Sequence, residues 1–412
     1  MRSVYSFAIE CYLAAIRLVS FRNEKAKKWL KGREKLHEEL LFWRKNNAGR
    51  LLVIHAASLG EFEQGRGIIE EWKRRFPDWK IVVSFFSPSG YEEANDLSGA
   101  DYKTYLPIDR KSEMKHFLSD LNPDLFVFIR YEFWFNLMDV LHKRSIPFAF
   151  VSVHFRDTSW IFKWYGKWAK NHLLKANCVL IQDEASLRIM EKNGFSNAIL
   201  AGDGRIDRVL QLAQDKDPLP WIKEFKGDRL LFVAGSPWEE DEDRMLSVLK
   251  TFPELCYILA PHDISKSNIE RLKSRLGELS SHTYSKRGEK TFQSNVLILD
   301  TIGMLSRVYA YADFAFIGGG YGDGVHSLLE PAAFGCPLFF GPNHKAFPEG
   351  GALIERGAAF EINSYIELEV EMRHLLSSSE SRNNCRNICK SFIQSNKGAS
   401  AKMVSHLSHL LE

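Results

Sequence analysis

The sequence predicts an α/β protein made of two doubly wound halves in tandem, each built around a parallel sheet. Three observations support this prediction. Short apolar runs typical of buried strands alternate with helical patterns along almost the whole chain. Nearly every polar cluster follows the end of such a run, which is where doubly wound sheets bind their ligands. The chain of 412 residues is also long for one hydrophobic core. We therefore expect two domains that face each other across a ligand-binding cleft.

The first half contains six apolar runs, each followed by a polar or glycine-containing turn. They cover residues 51–54, 81–85, 125–129, 147–153, 178–182 and 199–201. After the first run we expect a turn and then a helix from about Glu63. Since strands alternate with helices, the connections are expected to be the right-handed crossovers of a parallel sheet.

The second half repeats this alternation. Its apolar runs cover residues 230–234, 257–260, 296–299, 313–317 and 336–340, and the chain from residue 367 onward is predicted to be helical. A polar stretch with two prolines separates the halves. We predict an N-terminal segment at 1–35, an N-terminal domain at 36–217 and a C-terminal domain at 218–412, whose last helix is free to pack back on the N-terminal domain.

Composition and charge narrow the class of protein. Apolar content of 45% and charged content of 26% are ordinary for a globular protein. A net charge of +3 is small for this length, so an electrostatic affinity for nucleic acid is not indicated. The six cysteines are scattered and form no CxxC pair, so neither a zinc site nor a disulfide framework is indicated.

The N-terminal segment has the character of a membrane-associating element. Residues 4–21 are mostly apolar but include Glu10 and Arg17, and residues 22–35 carry seven Lys or Arg against two Glu. An interfacial or short spanning anchor, with its basic flank on anionic cytoplasmic lipid, fits this pattern. The alternative is an amphipathic helix that packs on its own domain.

A glycine-rich stretch at residues 318–348 predicts a nucleotide site. Three glycines after an apolar run let the backbone turn sharply and approach a ligand closely. We expect a short helix from near His326 to Phe334, with His326 and Glu330 on one face. The amides at its start suit a phosphate, and the Glu330 carboxylate suits a ribose diol. Alternatively, the glycines are only turns and Glu330 only an acid of the first helical turn.

Two glutamates are candidate catalytic groups in the first half. Glu61 follows a strand-to-helix turn, where it could accept a proton from a substrate hydroxyl or simply favour the helix dipole. Glu132 lies within an aromatic string, so it is either buried and paired with Arg130 or directed at a substrate. Arg156 and Arg205 lie at strand ends, where they could hold anionic groups.

The second half offers binding groups at its strand ends. Gly235 and Ser236 could present backbone N–H groups and a hydroxyl to a phosphate. His262 is either a ligand or a surface turn residue, and residues 300–303 could bind a base edge through the main chain. The acidic run at 241–243 is interpreted as the solvated start of a helix.

Taken together, the motifs resemble the 3-deoxy-D-manno-octulosonic acid (Kdo) transferases of Gram-negative lipopolysaccharide synthesis, and most of all the Bacteroidetes-like version. The resemblance covers nearly the whole chain. It is carried by HAASLGEFEQGR at 55–66, RYEFWFN at 130–136, FKWYG at 162–166, QDE at 182–184, AGDGRIDRV at 201–209, AGSPWEEDE at 234–242, APH at 260–262, DTIGML at 300–305 and the glycine-rich stretch.

The resemblance implies two Rossmann-like domains of the GT-B glycosyltransferase type. It implies an inverting transfer of Kdo from CMP-Kdo to lipid IVA, the lipid A precursor, with no bound metal or other cofactor. It also implies that the enzyme acts at the cytoplasmic face of the inner membrane, on the lipid surface. The donor is expected on the C-terminal domain and the acceptor on the N-terminal domain.

The family motifs assign roles to individual residues. Glu61 matches the general base and Glu132 the second carboxylate of the cleft. Donor binding is expected from Gly235, Ser236, Pro261, His262, Ile302, Gly303, Gly318, Gly319, Gly320, His326, Ser327 and Glu330. Acceptor binding is expected from Ser58, Gly60, Arg130, Arg156 and Arg205.

The chain departs from the family pattern at three places. Many members have Asn where this chain has Ser327, so any role of that amide passes to a hydroxyl. Residues 238–241 are Trp-Glu-Glu-Asp in place of Trp-Pro-Glu-Asp. Residues 261–263 are Pro-His-Asp where Arg-His-Pro is common, so a donor-phosphate arginine is absent there, and Arg205 or Lys345 is the suggested substitute.

Two other kinds of protein fit the same architecture. One is another GT-B glycosyltransferase, or a sugar-nucleotide epimerase, that uses a UDP-sugar. The other is a membrane-bound module that binds a nucleotide sugar without catalysis, and the presence of both Glu61 and Glu330 argues against it.

Overall fold

The computed structural model describes residues 2–214, 219–288 and 294–412. Contacts divide the chain into two compact units. The first unit comprises residues 1–208 and 397–412, and the second comprises residues 209–396. The predicted boundary between residues 217 and 218 falls outside the described residues.

The first unit contains a seven-stranded parallel sheet in the described ranges, with strand order β3-β2-β1-β4-β5-β6-β7. Its strands are β1 (Leu51–Ala56), β2 (Lys80–Phe85), β3 (Tyr102–Tyr105), β4 (Leu125–Ile129), β5 (Phe148–Val153), β6 (Cys178–Ile181) and β7 (Ala198–Leu200). The order reverses between β1 and β4, which pair in parallel. That reversal is the topological switch point, where doubly wound sheets place their ligands.

Helices cover both faces of this sheet. They are α1 (Arg2–Val19), α2 (Glu24–Lys31), α3 (Leu36–Asn46), α4 (Leu59–Arg75), α5 (Pro88–Glu93), α6 (Lys111–Leu121), α7 (Phe135–Lys143), α8 (Lys167–Leu173), α9 (Glu184–Lys192), α10 (Gly204–Gln214) and α19 (Ala399–Ser408). Two apolar clusters, one on each face, enclose the strands. The central strands are therefore continuous apolar runs, and each fully buried large side chain contributes about 1.5–3 kcal/mol.

The C-terminal helix α19 belongs to the first unit although it follows the second unit in sequence. It packs on α4, and Met403, Val404 and Leu407 are fully buried there. The Asp207 carboxylate accepts hydrogen bonds from the N–H groups of Gly398 (2.6 Å) and Ser400 (2.7 Å) and so fixes the start of the helix.

The N-terminal helix α1 packs on the first unit along one face. Leu13 is buried, the Tyr5 hydroxyl donates to Asp109 (2.6 Å), and Glu10 forms an ion pair with Arg110. Its other face exposes apolar side chains, among them Phe7. Within the described ranges, no helix combines the length and apolar character needed to cross a membrane.

The second unit also contains a parallel sheet, of seven strands in the described ranges, in the order β10-β11-β9-β8-β12-β13-β14. Its strands are β8 (Leu231–Gly235), β9 (Cys256–Ala260), β10 (Ser281–Thr283), β11 (Val296–Ile298), β12 (Phe314–Ile317), β13 (Leu338–Phe340) and β14 (Ala359–Glu361). The switch point lies between β8 and β12. The helices are α11 (Pro220–Lys226), α12 (Glu239–Thr251), α13 (Lys266–Leu276), α14 (Leu305–Val308), α15 (Leu329–Phe334), α16 (Pro348–Glu355), α17 (Tyr365–Ser377) and α18 (Ser379–Ser395).

The predicted alternation is confirmed in both halves, with two differences. The helix after β1 begins at Leu59 rather than near Glu63, because Ser58 caps it. The structure also adds β3, β10 and β14, which the sequence does not predict.

Candidate functional site

The switch point of the first unit holds Glu61 in the first turn of α4. The Ser58 hydroxyl accepts the Glu61 N–H (3.4 Å), and the Glu61 carboxylate turns back to accept the N–H of Ala57 (2.5 Å). This reciprocal pattern resembles a capping box, except that the carboxylate accepts the N–H of the residue before the cap. It fixes the Glu61 side chain at the carboxyl end of β1, so Ser58 serves first as a helix cap.

A left-handed residue directs the second carboxylate to the same place. Arg130 follows β4 with φ of 63°, a conformation that non-glycine residues adopt rarely and at a cost. The sharp turn brings the side chain of Glu132 back towards β1, where it forms a hydrogen bond with Glu61. The structure therefore brings together the two carboxylates predicted to be catalytic.

Burial keeps one proton on this carboxylate pair. Burial first, then the charge of Glu61 and the hydrogen bond to it, raise the pKa of Glu132 to about 8. Burial also raises the pKa of Glu61, against the opposing effects of the Ala57 N–H, the bond to Glu132 and the Arg130 guanidinium. Near neutral pH, Glu132 is the protonated partner and Glu61 the carboxylate that accepts its hydrogen bond.

His55, near the carboxyl end of β1, is a buried polar residue that the sequence does not single out. It is fully buried in β1, and its Nδ1 lies 3.0 Å from the Ser84 hydroxyl. Burial lowers the pKa of His55 to about 3, so it is neutral. Its ring packs edge-on against Trp134, whose own ring packs against Phe86. Its position is the signal that could have identified it, because a single histidine directly follows the apolar run 51–54 within the same strand.

The other residues predicted to bind the acceptor have separate surroundings. Arg205 forms an ion pair with Asp203 (2.6 Å) and Arg156 is exposed to solvent. Gly60 faces open space, since no atom lies within 4 Å of a Cβ placed on it. Arg130 adds positive charge beside Glu61, and its Nε is buried without a hydrogen-bond partner among the described residues.

In the second unit, the glycine loop at the end of β12 is defined by close backbone contacts. A Cβ on Gly318 would lie 2.3 Å from the carbonyl oxygen of Ser236, and Gly319 has φ of 89°. A Cβ on Gly320 would likewise lie 2.4 Å from the backbone nitrogen of Gly341. Ser236, after β8, has φ of 52°, so both sides of this switch point turn sharply. Glycine is therefore required here to fit backbone against backbone.

A buried carboxylate already holds this loop. Asp241 Oδ2 accepts the N–H groups of Trp238 (2.7 Å) and Gly319 (2.8 Å). The N–H of Ser236 donates to Ala260 and that of Gly318 to Gly235. Four amides of this region are thus occupied within the protein, and the Ser236 hydroxyl is the group of that residue left for a ligand.

The interpretation of residues 241–243 as a solvated helix start is wrong. Asp241 and Glu242 do lie in the first turn of α12, but both are buried, and Asp243 follows that turn. Glu242 forms ion pairs with Arg271 (2.6 Å) and Arg275 (2.7 Å), and burial raises the pKa of Asp241 despite its hydrogen bonds. The carboxylates are buried because each has donors from elsewhere in the unit.

An aromatic stack lies beside the glycine loop. The rings of Trp238 and His262 are 4.0 Å apart and those of His262 and His326 are 4.9 Å apart, each pair at 21°. The indole N–H of Trp238 donates to Nε2 of His326 (3.0 Å). Burial, and then His262, lower the pKa of His326, so it accepts this bond as a neutral ring. The stack presents a flat surface of the kind on which planar ligand groups pack.

Glu330 lies in the first turn of α15, but His326 does not share that helix. The helix begins at Leu329, so the predicted helix start near His326, and the shared face with Glu330, are wrong. Residues 324–327 form no regular secondary structure, and this irregular loop brings His326 to the stack. Burial raises the pKa of Glu330, against a hydrogen bond from Ser327. Gly335 ends the helix in the left-handed conformation, as predicted.

The remaining predicted donor residues lie at the ends of β9 and β11. Pro261 is buried and directly precedes His262 of the stack. Ile302 is 85% exposed and Gly303 has φ of 89°, so this turn projects from the protein. Asp300 accepts the N–H of Ser285 (2.8 Å), which fixes the start of the turn. Within the described ranges, no three His, Cys, Asp or Glu side chains group as a metal ion would require.

The two-unit architecture matches solved structures of the class predicted from the sequence. A glycosyltransferase from Rickettsia africae superposes with a TM-score of 0.63 at 11% identity and covers 88% of this chain and 99% of its own. The UDP-GlcNAc 2-epimerase of Neisseria meningitidis gives a TM-score of 0.64 at 14% identity, over 88% and 100%. These likenesses confirm a fold of two Rossmann-like doubly wound domains of the GT-B type.

Sequence comparison then shows which family within this class the chain resembles. The family model described as 3-deoxy-D-manno-octulosonic-acid transferase matches residues 34–208. The 3-deoxy-D-manno-octulosonic acid transferase of Haemophilus influenzae is 28% identical over 379 residues, which cover 88% of this chain and 87% of that protein. The chain is similar to the Kdo transferases over most of its length, and the resemblance predicted from its motifs is confirmed.

Proposed function

We propose that this chain is an inverting glycosyltransferase that moves Kdo from CMP-Kdo to lipid IVA in lipopolysaccharide synthesis. The family model and the similar transferases support Kdo transfer, and CMP-Kdo and lipid IVA are the substrates that this family implies. The observation that carries the proposal is the buried pair of Glu61 and Glu132, in which one carboxylate is ionised and the other protonated.

Glu61 is the general base in this mechanism. Its carboxylate takes the proton of the acceptor hydroxyl while the hydroxyl oxygen bonds to the anomeric carbon of Kdo. The bond from that carbon to the CMP phosphate oxygen breaks on the opposite face, and its electron pair leaves with CMP. Glu132 keeps its proton and donates it in a hydrogen bond to Glu61, which prevents two adjacent carboxylates from being ionised together.

The second unit binds the CMP end of the donor. The stack of Trp238, His262 and His326 offers a planar surface, and Glu330 offers a carboxylate to the ribose hydroxyls. The departing phosphate is already anionic, so hydrogen-bond donors such as the Ser236 hydroxyl are proposed to stabilise it without a metal ion. No other cofactor takes part in this scheme.

The membrane surface is the proposed place of action, at the cytoplasmic face of the inner membrane. Helix α1 is fixed to the first unit by Tyr5 and Leu13, yet it exposes Val4, Phe7 and Leu18. A helix held in this way can place its outer face in the lipid interface while the basic flank at 22–35 meets anionic headgroups. We therefore propose interfacial anchoring by α1.

Flotation with anionic vesicles tests this anchoring. Replacing Phe7 and Leu18 by Ser should reduce the membrane-bound fraction severalfold, because both side chains are exposed and their loss removes apolar area without uncovering a core. Ile366→Ser with Val370→Ser, two exposed positions on α17, is the matched control. Equal flotation of both double variants would contradict anchoring by α1.

Incubation of the purified chain with CMP-Kdo and lipid IVA tests the proposed activity. We expect release of CMP and a lipid product heavier by the mass of one or more Kdo residues. The alternative, an enzyme that uses a UDP-sugar, would show thermal stabilisation by UDP-sugars and no response to CMP or CMP-Kdo. That result would overturn the proposal, since the likeness to the UDP-GlcNAc 2-epimerase concerns the fold alone.

A further inference from the structure

A basic cavity in the second unit lies apart from the candidate donor site. It encloses about 580 Å³ between the end of α11, the segment before β12, the end of α15 and the middle of α18. The donor-site groups follow the carboxyl ends of β8 and β12, whereas this cavity adjoins the amino ends of the same two strands. Asp313, at its base, exchanges backbone and side-chain hydrogen bonds with Leu231 at the start of β8. A strand of five residues separates the two places by about 16 Å.

Four cationic side chains line the cavity, and Asp313 is its single lining carboxylate. The cations are Lys223 and Lys226 of α11 and Arg386 and Lys390 of α18. The Asp313 carboxylate forms a close ion pair with Lys226 and lies farther, 3.8 Å, from the Arg386 guanidinium. One carboxylate therefore neutralises one of four positive charges.

The other cations have little to hold them. In the part of the chain that the structure describes, the ammonium groups of Lys223 and Lys390 take part in no ion pair, and Arg386 has only the distant contact with Asp313. The carbonyl groups at the ends of α11 and α15 favour cations here, since Gly335 after α15 lies against Arg386 and Lys390. Each helix end supplies only about half a negative charge, so three remaining cations are not fully offset. Gathering like charges raises the free energy of the folded protein unless an anion offsets it.

The chemistry of the lining indicates the kind of anion. Arg386 can donate two parallel hydrogen bonds to phosphate oxygens, and lysine ammonium groups add charge without a fixed geometry. The volume exceeds what a single small ion needs, and Phe334 and Ala310 supply apolar contacts on one side. We propose that this cavity binds a phosphate-bearing ligand, supplied either by a soluble phosphate compound or by the headgroup of an anionic lipid.

Hydrogen exchange on the full-length protein tests the site and separates it from the donor site. Inorganic pyrophosphate is the soluble probe, and phosphatidylcholine vesicles with and without phosphatidylglycerol are the lipid probes. We expect slower exchange in peptides from α11 and α18 with pyrophosphate, with phosphatidylglycerol vesicles, or with both. Peptides covering residues 318–330 report separately on the donor site.

The charge variant Arg386→Gln with Lys390→Gln should abolish this protection and weaken binding of the effective probe at least about tenfold, because charge-assisted contacts are lost. Lys266→Gln with Lys273→Gln, on α13, removes the same charge outside the cavity and should keep the protection. If the charge variant loses protection that only pyrophosphate gives, the ligand is a soluble phosphate compound. If it loses protection that only the phosphatidylglycerol vesicles give, the ligand is a lipid headgroup.

Two outcomes would overturn the proposal. One is the absence of protection at α11 and α18 with either probe in the natural protein. The other is protection that the double variant retains. If the double variant melts early, the single changes Lys390→Gln and Lys223→Gln decide the question, since both side chains are exposed and their removal breaks no ion pair among the described residues.

Discussion

The switch points of the two sheets use the same backbone device for different chemistry. In each unit a non-glycine residue after a central strand adopts the left-handed conformation, Arg130 with φ of 63° and Ser236 with φ of 52°. In the first unit the turn places two carboxylates side by side. In the second unit it packs the backbone of Ser236 against the glycine loop. The anion that accepts the loop amide of Gly319 there is a side chain of the protein, Asp241.

This difference separates a reactive site from a binding site. The Glu61–Glu132 pair stays poised because burial raises both pKa values and leaves one proton between them. In the second unit, the buried Asp241 already accepts hydrogen bonds from loop amides, so a ligand meets the stacked rings, a hydroxyl and the Glu330 carboxyl. This difference supports the proposal that proton transfer takes place in the first unit and donor recognition in the second.

The strongest test of this division is Glu61→Gln. The amide keeps the size of the side chain but cannot take a proton, so kcat should fall by about a thousandfold while CMP binding is unchanged. Steady-state assays with CMP-Kdo and lipid IVA, together with CMP titration, measure both effects. Glu70→Gln, on the same helix, is the control, and a kcat near that of the natural protein for Glu61→Gln would remove Glu61 from the base role.

The next effect in size is expected for Gly318→Ala in the second unit. The new Cβ would lie 2.3 Å from the Ser236 carbonyl oxygen and 2.4 Å from Pro237 Cα, so the backbone must shift. We expect a loss of about 1–3 kcal/mol in the free energy of unfolding and weaker CMP binding. Gly351→Ala, in α16, meets open space and should leave both unchanged or slightly improved. Equal behaviour of the two variants in urea unfolding and CMP titration would refute the close fit.

A smaller, pH-dependent effect is expected for Glu132→Gln. The folded pKa of about 8 exceeds the ordinary value of 4.5, so the folded protein holds a proton that the unfolded chain releases. The natural protein therefore loses stability as the pH rises from about 4.5 to 8, and the variant lacks this loss. Its Tm relative to the natural protein should increase across that range, whereas the difference for Glu70→Gln should stay flat. A flat difference for Glu132→Gln would show that Glu132 has no raised pKa.

The smallest effect is expected for Trp238→Phe. Phenylalanine keeps the stack on His262 but removes the indole N–H that donates to His326. Losing one such hydrogen bond should weaken CMP binding severalfold, for about 1 kcal/mol. Trp164→Phe, at an exposed position of the first unit, should leave CMP affinity unchanged. An unchanged affinity in Trp238→Phe would show that the hydrogen bond from Trp238 to His326 does not contribute to donor binding.

The central strands and the positions of the two candidate glutamates at strand ends could be predicted, because each carries its own local signal. Buried parallel strands are continuous apolar runs, and Glu61 and Glu132 lie in turns directly after such runs. Three of the four edge strands in the described ranges, β3, β10 and β14, could not be predicted in this way. Strand β3 reads Tyr-Lys-Thr-Tyr, and β10 and β14 have three residues each, so none carries an apolar run.

Contacts between distant residues account for the errors in the candidate site. Asp241 has the sequence context of a solvated helix start, and its partner Gly319 is 78 residues away. His326 has helical spacing to Glu330, but its bond to Trp238 and its packing on His262 hold it outside the helix. In both cases a hydrogen bond between residues distant in sequence determines the conformation, against the local sequence pattern.

The return of α19 to the first unit makes that unit discontinuous in sequence. A fragment that ended at Arg208 would expose the apolar surface that Met403, Val404 and Leu407 cover. It would also leave the Asp207 carboxylate without its two amide donors. During synthesis, the first unit can complete its core only after the second has been translated. Termination a few residues early would therefore damage the half of the protein that is made first, and a circular permutant that joins α19 to α1 is the arrangement in which the first unit could be produced alone.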